Sequence, residues 1–191
     1  MKSRIRCVAP GAILLICAAT VTAYGQDAPK RQPDVPYVPT PQEVVDGMLK
    51  LADLKPGDVV YDLGCGDGRI VITAAKEYGS HAVGIDIDPE RIAEATGNAR
   101  KAKVDNLVNF RRGDLFEADI APATVVTLYL LPSINLKLKP KLLHDLKPGT
   151  RIVSHGFDMG DWKPDRRETV GGRNIYLWIV PPNGDRGGAR P

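Results

Sequence analysis

Cysteine is scarce in this 191-residue chain, which contains three. Cys7 and Cys17 lie in an N-terminal segment with the pattern of a cleavable signal, so the mature chain would keep only Cys65. A single cysteine excludes an internal disulfide, and the paired Cys and His spacing of a zinc site is also missing. Neither a disulfide framework nor a zinc centre is therefore expected to support the fold or the function, and we predict no metal site.

Long apolar runs are missing as well. The longest extends from Val8 to about Ala23, which is shorter than the ~20 residues that a membrane-spanning helix needs. It follows three basic residues and ends in small residues before Gln26. This order is typical of a Sec-type signal peptide, which we place at residues 1–25. The predicted location is periplasmic or secreted, with no stable membrane span after cleavage; an uncleaved anchor is the alternative.

A net charge is missing from the predicted mature chain. The whole sequence has 26 Lys and Arg against 23 Asp and Glu. The signal segment removes three basic residues and no acidic ones, which leaves 23 of each sign. No basic excess remains to indicate binding to a polyanion, so no nucleic-acid partner is expected.

Proline is concentrated at the start of the mature chain, where it predicts an extended arm over residues 26–40. Thr40 to Glu43 resembles a capping box with proline at the first helical position, and an amphipathic helix is predicted to follow it. We expect one globular domain over residues 41–181 and a disordered tail over residues 182–191.

Apolar strand-like stretches alternate with helical stretches through the centre of the domain. Strands are predicted at residues 59–63, 81–86, 107–112, 124–131 and 151–155. The helix at residues 132–146 is expected to break near Pro140, and Gly171-Gly172 predicts a hairpin between residues 166–170 and 174–180. This order predicts an α/β fold with a doubly wound, mostly parallel sheet and an antiparallel hairpin at its C-terminal edge.

A glycine-rich turn follows the first strand, with Gly64, Gly66 and Gly68 at alternate positions. Asp86 ends the second strand about twenty residues later, where a carboxylate can accept hydrogen bonds from a ribose diol. The glycine spacing is tighter than that of a dinucleotide turn, and Asp62 within the strand would oppose a pyrophosphate. The pattern favours S-adenosylmethionine, which carries sulfonium and ammonium charge, over NAD.

From about Val59 to Val180 the chain resembles the class I S-adenosylmethionine-dependent methyltransferases. The segment from Asp62 to Gly68 matches the first motif of that family, and Asp86 matches its ribose-binding acid. Gly113-Asp114-Leu115 matches the segment that meets the adenine. The resemblance implies a Rossmann-like methyltransferase fold with a seven-stranded sheet and a reversed last strand. It also implies that Asp62, Gly64, Gly66, Asp86, Asp114 and Leu115 contact the cofactor.

A more specific resemblance is to the lysine methyltransferase family that modifies the ATP-synthase c-subunit, and more distantly to the DOT1 type. It rests on the order of several short motifs, among them the arm Tyr37 to Pro41 and the segment Leu130 to Ser133. The resemblance implies that the arm, including Tyr37, folds over the methionine end of the cofactor. It implies further that residues 130–133 border the acceptor site.

Few residues are candidates for catalysis. Tyr129 could orient an acceptor amine, or could be a packed aromatic residue of the fourth strand. His155 could be a base, although a structural role is favoured, and Trp162 could line an acceptor channel or anchor a loop. Cys65 is expected to be a packing residue.

The function predicted from these observations is methyl transfer from S-adenosylmethionine to an amine, with a protein lysine as one candidate acceptor. The Asn/Asp-Pro-Pro-aromatic motif is missing after the fourth strand, which disfavours methylation of bases or glutamine. One alternative is an exported module that binds the nucleoside without catalysis. A less favoured alternative is an NAD-dependent oxidoreductase.

Overall fold

The structure is a computed structural model that describes residues 36–182. The predicted signal peptide, most of the predicted arm and all but the first residue of the predicted tail lie outside this range. Within it, no helix is both long enough and apolar enough to cross a bilayer.

Helices and strands alternate through most of the described range. The helices are α1 (Gln42–Leu51), α2 (Arg69–Tyr78), α3 (Pro89–Ala102) and α4 (Pro132–Asp145). The strands are β1 (Val59–Leu63), β2 (His81–Asp86), β3 (Val108–Arg112), β4 (Val125–Leu128), β5 (Arg151–His155), β6 (Arg166–Val170) and β7 (Arg173–Ile179).

The seven strands form one sheet in the order β3-β2-β1-β4-β5-β7-β6. The pairs from β3 to β5 are parallel, whereas β7 is antiparallel to both β5 and β6. The predicted fold class, including the antiparallel C-terminal hairpin, is therefore confirmed. Because β2 and β4 flank β1 on opposite sides, the chain reverses its direction of winding beside β1, and ligands of such sheets bind at this switch point.

Alternating strand residues supply two separate cores. Val60, Val125 and Val153 face one side of the sheet and join the apolar faces of α1 and α2. The residues that follow Val60 on β1 and Val125 on β4 are Tyr61 and Val126. They face the other side of the sheet, with the apolar residues of α4. Burial on both faces explains why these strands are apolar throughout.

A glycine within β2 lets the turn after β1 pack closely on the sheet. Gly84 pairs with Asp62 on one side and with Phe110 on the other. A Cβ at this position would lie 2.8 Å from the Cys65 sulfur and 2.7 Å from the Phe110 ring. Cys65 is buried, so its side chain packs beneath the turn as expected.

Two local predictions about helices are wrong. Thr40 makes no capping bond to α1, because its hydroxyl is hydrogen-bonded to the His155 ring instead. The helix α4 continues through Pro140 without a break. Pro140 and Leu136, one turn earlier, are both exposed, so water can replace the backbone hydrogen bond that proline cannot donate.

The fourth strand is also shorter than predicted. Residues 124–131 were expected to form it, but the ladder ends at Leu128 and Tyr129 follows it. Pro132 is the first residue of α4, and Leu131 before it has an extended backbone. The chain therefore leaves the sheet after Leu128, before the helix begins.

Candidate functional site

The carboxyl ends of the parallel strands and the segment 36–40 enclose a cavity of about 620 Å³. This volume is typical of a site for a small molecule. Eight of the residues that the sequence singles out for the site line the cavity: Tyr37, Asp62, Gly64, Gly66, Asp86, Asp114, Leu115 and Tyr129. His155 and Trp162, the other two candidates, do not. The structure thus brings together residues that are far apart in the chain.

The glycine turn is held in place by the end of β2. The amides of Gly64 and Cys65 both donate to the carbonyl of Ile85, at 2.8 and 3.0 Å. The amide of Gly66 donates to Asp86 Oδ2 at 2.9 Å. Gly66 has a φ of +52°, which favours glycine, and a Cβ there would lie 2.4 Å from the Tyr37 ring, so a larger residue would displace Tyr37.

Asp86 connects this turn to the next helix. Its Oδ1 accepts the amide of Asp88 at 3.0 Å, while Asp88 caps α3 by accepting the amide of Glu90. The capping role at the start of α3 therefore belongs to Asp88. A carboxylate has about four acceptor positions, so Asp86 retains capacity for ligand hydroxyls beside its two backbone bonds.

Asp62 lies beneath the turn and is almost fully buried, with 3% of its surface exposed. Its Oδ1 accepts a hydrogen bond of 2.7 Å from the Thr127 hydroxyl on β4. Burial, together with the nearby carboxylates of Asp86 and Asp67, raises the pKa of Asp62 to about 7 despite this bond. A small change in local charge can therefore change its protonation state near neutral pH.

Arg69 is a cavity residue that the sequence reasoning missed. Its guanidinium forms a salt bridge with Asp67 at 2.6 Å and donates to the carbonyl of Thr40 at 2.8 Å. Burial tends to raise the pKa of Asp67, but the hydrogen bonds and charge of Arg69 hold it below its usual range. A basic residue in the first turn of a helix opposes the helix dipole, and this was the signal that Arg69 has a specific partner.

Arg91 is a second missed residue, and it connects α3 to the N-terminal segment. Its guanidinium lies 4.8 Å from the centre of the Tyr37 ring and forms an ion pair with Glu94. Burial and the nearby Asp67 carboxylate raise the pKa of the Tyr37 hydroxyl. Tyr37 is thus placed between Arg91 and the glycine turn, and residues 36–40 form one wall of the cavity.

Asp114 and Leu115 line the side of the cavity that follows β3. Asp114 Oδ1 accepts the amide of Phe116 at 2.9 Å, which fixes the local turn. The Phe116 ring lies 4.2 Å from the Lys137 ammonium group on α4. The turn after β3 therefore contacts α4, which packs on the face of the sheet opposite to α1 and α2.

The opposite side of the cavity contains Tyr129, Leu130 and Ile134. The Tyr129 ring stacks on the His155 ring with a centroid distance of 3.9 Å. Burial of His155, together with the charge of Arg173, lowers the pKa of its imidazole to about 4. His155 is therefore neutral at physiological pH and lies behind Tyr129, outside the cavity lining.

Trp162 does not line the cavity. It packs against Trp178, and its carbonyl accepts the indole N–H of Trp178 at 2.8 Å. This arrangement matches the loop-anchoring alternative.

The charges around the cavity are predominantly acidic. Asp62, Asp67, Asp86, Asp88 and Asp114 line it, against two arginines, Arg69 and Arg91. Both arginines are already paired with carboxylates. The excess of acidic over basic residues favours a ligand with positive charge or with several hydrogen-bond donors.

Comparison with known proteins identifies the family. The model of the ANTKMT methyltransferase domain matches residues 62–166. This chain belongs to that family. It is 50% identical to a protein-lysine N-methyltransferase of Saccharolobus islandicus, over 78% of this chain and 95% of the relative. It is also 32% identical to the Mus musculus lysine N-methyltransferase of the ATP synthase c-subunit, over 95% of this chain and 72% of the relative.

Solved structures agree with this assignment. A structure from Salinibacter ruber, described as an RNA methyltransferase in complex with S-adenosyl-L-homocysteine, is 60% identical with a TM-score of 0.75. The match covers 75% of this chain and 94% of that one. A Geobacter sulfurreducens methyltransferase, also with S-adenosyl-L-homocysteine, is 28% identical with a TM-score of 0.54, over 61% and 48% of the two chains. The chain is an S-adenosylmethionine-dependent methyltransferase of the Rossmann-like class.

The buried Asp62 predicts that cofactor affinity depends on pH. A cationic ligand favours the ionised carboxylate, so binding lowers the pKa of Asp62 and affinity increases as the pH rises through about 7. We expect affinity for S-adenosylmethionine to increase roughly tenfold from about pH 6 to about pH 8. Calorimetry across this range measures it.

The variant Asp62→Asn supplies the comparison. It should bind more weakly at the upper end of the range and show little dependence on pH, because the titrating group is gone. A wild-type affinity that is flat or that decreases with rising pH would contradict this account of Asp62.

Proposed function

We propose that the protein transfers a methyl group from S-adenosylmethionine to the side-chain amine of a protein lysine. The cavity carries this proposal, because its acids and its glycine turn suit a cationic nucleoside. The match to the Saccharolobus protein-lysine N-methyltransferase extends over nearly the whole length of that relative, and this supports lysine as the acceptor.

The chain's own residues suit the cofactor. Asp86 would accept the ribose hydroxyls, and Asp114 and Leu115 would hold the adenine. Asp62, beneath the turn, would stabilise the positive charge, and Tyr37 would cover the methionine end from the 36–40 segment. A bound cofactor would supply an activated sulfonium methyl group for in-line displacement.

Tyr129, Leu130 and Ile134 are proposed to border the amine. Methyl transfer depends mainly on proximity and orientation, and an amine that arrives deprotonated needs no base. His155 is unsuited to be that base, because it is buried behind Tyr129 and is hydrogen-bonded to Thr40. The Tyr129 hydroxyl is proposed to orient the amine.

The test is to incubate the full chain with methyl-labelled S-adenosylmethionine and proteins extracted from its source. We expect label on lysines, identified by mass spectrometry and removed by protease. Tyr129→Phe should lower the turnover about tenfold or more, because an orienting hydrogen bond is lost in the transition state, and leave cofactor affinity unchanged. Tyr78→Phe, on α2 away from the cavity, is the matched control and should retain full turnover.

RNA is the second candidate acceptor, since the Salinibacter structure is described as an RNA methyltransferase. Total RNA is therefore included in the same incubation. Label that ribonuclease releases and protease does not would contradict the lysine proposal. Cofactor binding without transfer to either fraction would favour the non-catalytic binding module.

We also propose that the chain is exported by its first 25 residues. Fusion of a tag to the C-terminus of the full chain, followed by cell fractionation, tests the proposal. The expected product is a shortened protein outside the cytoplasm. A full-length protein in the cytosol would contradict export.

A further inference from the structure

His155 lies between two walls of the cavity without lining it. It is the last residue of β5, and only 2% of its surface is exposed. Its Nδ1 is 3.2 Å from the Thr40 hydroxyl, and its ring face stacks on Tyr129 at an interplanar angle of 27°. One imidazole therefore contacts both the N-terminal segment and the aromatic residue of the proposed acceptor side.

The Thr40 contact anchors residues 36–40. Thr40 is 4% exposed, and two groups hold it: its hydroxyl meets His155, while its carbonyl accepts Arg69. Tyr37 and its neighbours extend from this anchor across the glycine turn. The position of the segment over the cofactor cavity thus depends on Thr40 as well as on the contact between Tyr37 and Arg91.

The Tyr129 contact fixes the other wall. Tyr129 follows the end of β4, so no sheet ladder holds its backbone beyond Leu128. The His155 ring supports one side of the Tyr129 ring. Gly156, the residue after His155, is also close, because a Cβ there would lie 3.7 Å from Tyr129 Cε2. The orientation of the Tyr129 ring therefore depends on the end of β5.

We propose that His155 is a positioning residue that couples the 36–40 segment to Tyr129. Cofactor held under the segment stabilises the Thr40 contact, which fixes the imidazole and hence the aromatic residue beside the amine. By reciprocity, an acceptor that orders Tyr129 strengthens cofactor binding by the same factor. The acceptor half of this inference rests on the proposed function; the cofactor half does not.

Three variants separate the two contacts. Thr40→Val removes the hydroxyl at nearly constant volume. His155→Phe keeps a ring against Tyr129 and loses the bond to Thr40. His155→Asn keeps a polar atom for Thr40 and loses the ring. Thr150→Val is the matched control, because Thr150 is as buried as Thr40 and donates a hydrogen bond to Ala123 far from the cavity.

Calorimetry with S-adenosylhomocysteine tests the cofactor half. Thr40→Val and His155→Phe should each weaken affinity roughly threefold to tenfold, the usual range for one net hydrogen bond. The double variant should be no weaker than either single one, because both remove the same bond. His155→Asn and Thr150→Val should remain within about twofold of the wild type.

Turnover and chemical labelling test the acceptor half. His155→Asn should lower the turnover several-fold while cofactor affinity is retained, because the stack on Tyr129 is lost. Nitration of Tyr129 by tetranitromethane, followed by mass spectrometry, should accelerate in His155→Asn and not in Thr150→Val. This labelling needs no acceptor, so it remains decisive even if the lysine proposal fails.

A purely structural His155 gives a different result. The variants would then lower the melting temperature and leave both affinity and the nitration rate at wild-type values. Additive losses of affinity in the double variant would likewise overturn the coupling.

Discussion

The carboxylate of Asp86 is the interaction on which the site depends. One oxygen holds the Gly66 amide, and the other holds the Asp88 amide at the start of α3. Since Ile85 also binds the amides of Gly64 and Cys65, the end of β2 fixes the shape of the glycine turn. Without these bonds the turn would have no defined position relative to the Asp86 carboxylate.

Fixing the turn in this way concentrates acids in a small space, and the surrounding groups offset their repulsion. Arg69 neutralises Asp67 and at the same time holds the carbonyl of Thr40. Asp62 accepts a bond from the neutral Thr127 hydroxyl, which does not offset the cost of burying its charge, and its pKa stays raised. A bound cation would therefore give the greatest electrostatic stabilisation at Asp62, beneath the turn.

Much of this arrangement is predictable from the sequence, because it depends on local signals. Apolar runs fix the strands, and the alternating glycines with Asp62 and Asp86 identify the site. The contacts between distant segments were not predictable. Thr40 has good local capping chemistry, yet its hydroxyl meets His155, which lies 115 residues away in the chain.

The other differences from the sequence predictions have two origins. Pro140 disfavours a helix locally, but α4 tolerates it because that position faces solvent. Arg91 has no local signal, since its role depends on Tyr37 folding back onto α3. Packing between segments thus overrides local preference at Thr40 and determines the role of Arg91, whereas exposure to solvent explains Pro140.

The most direct test of this account is calorimetric titration of Asp86→Asn with S-adenosylhomocysteine. Asp119→Asn is the matched control, because Asp119 forms the same type of side-chain bond, to the Ala121 amide, in an exposed turn outside the cavity. We expect Asp86→Asn to weaken binding about tenfold or more, since bonds to a charged group contribute ~1.5–3 kcal/mol each, while Asp119→Asn binds normally. Wild-type affinity in a folded Asp86→Asn protein would contradict the account.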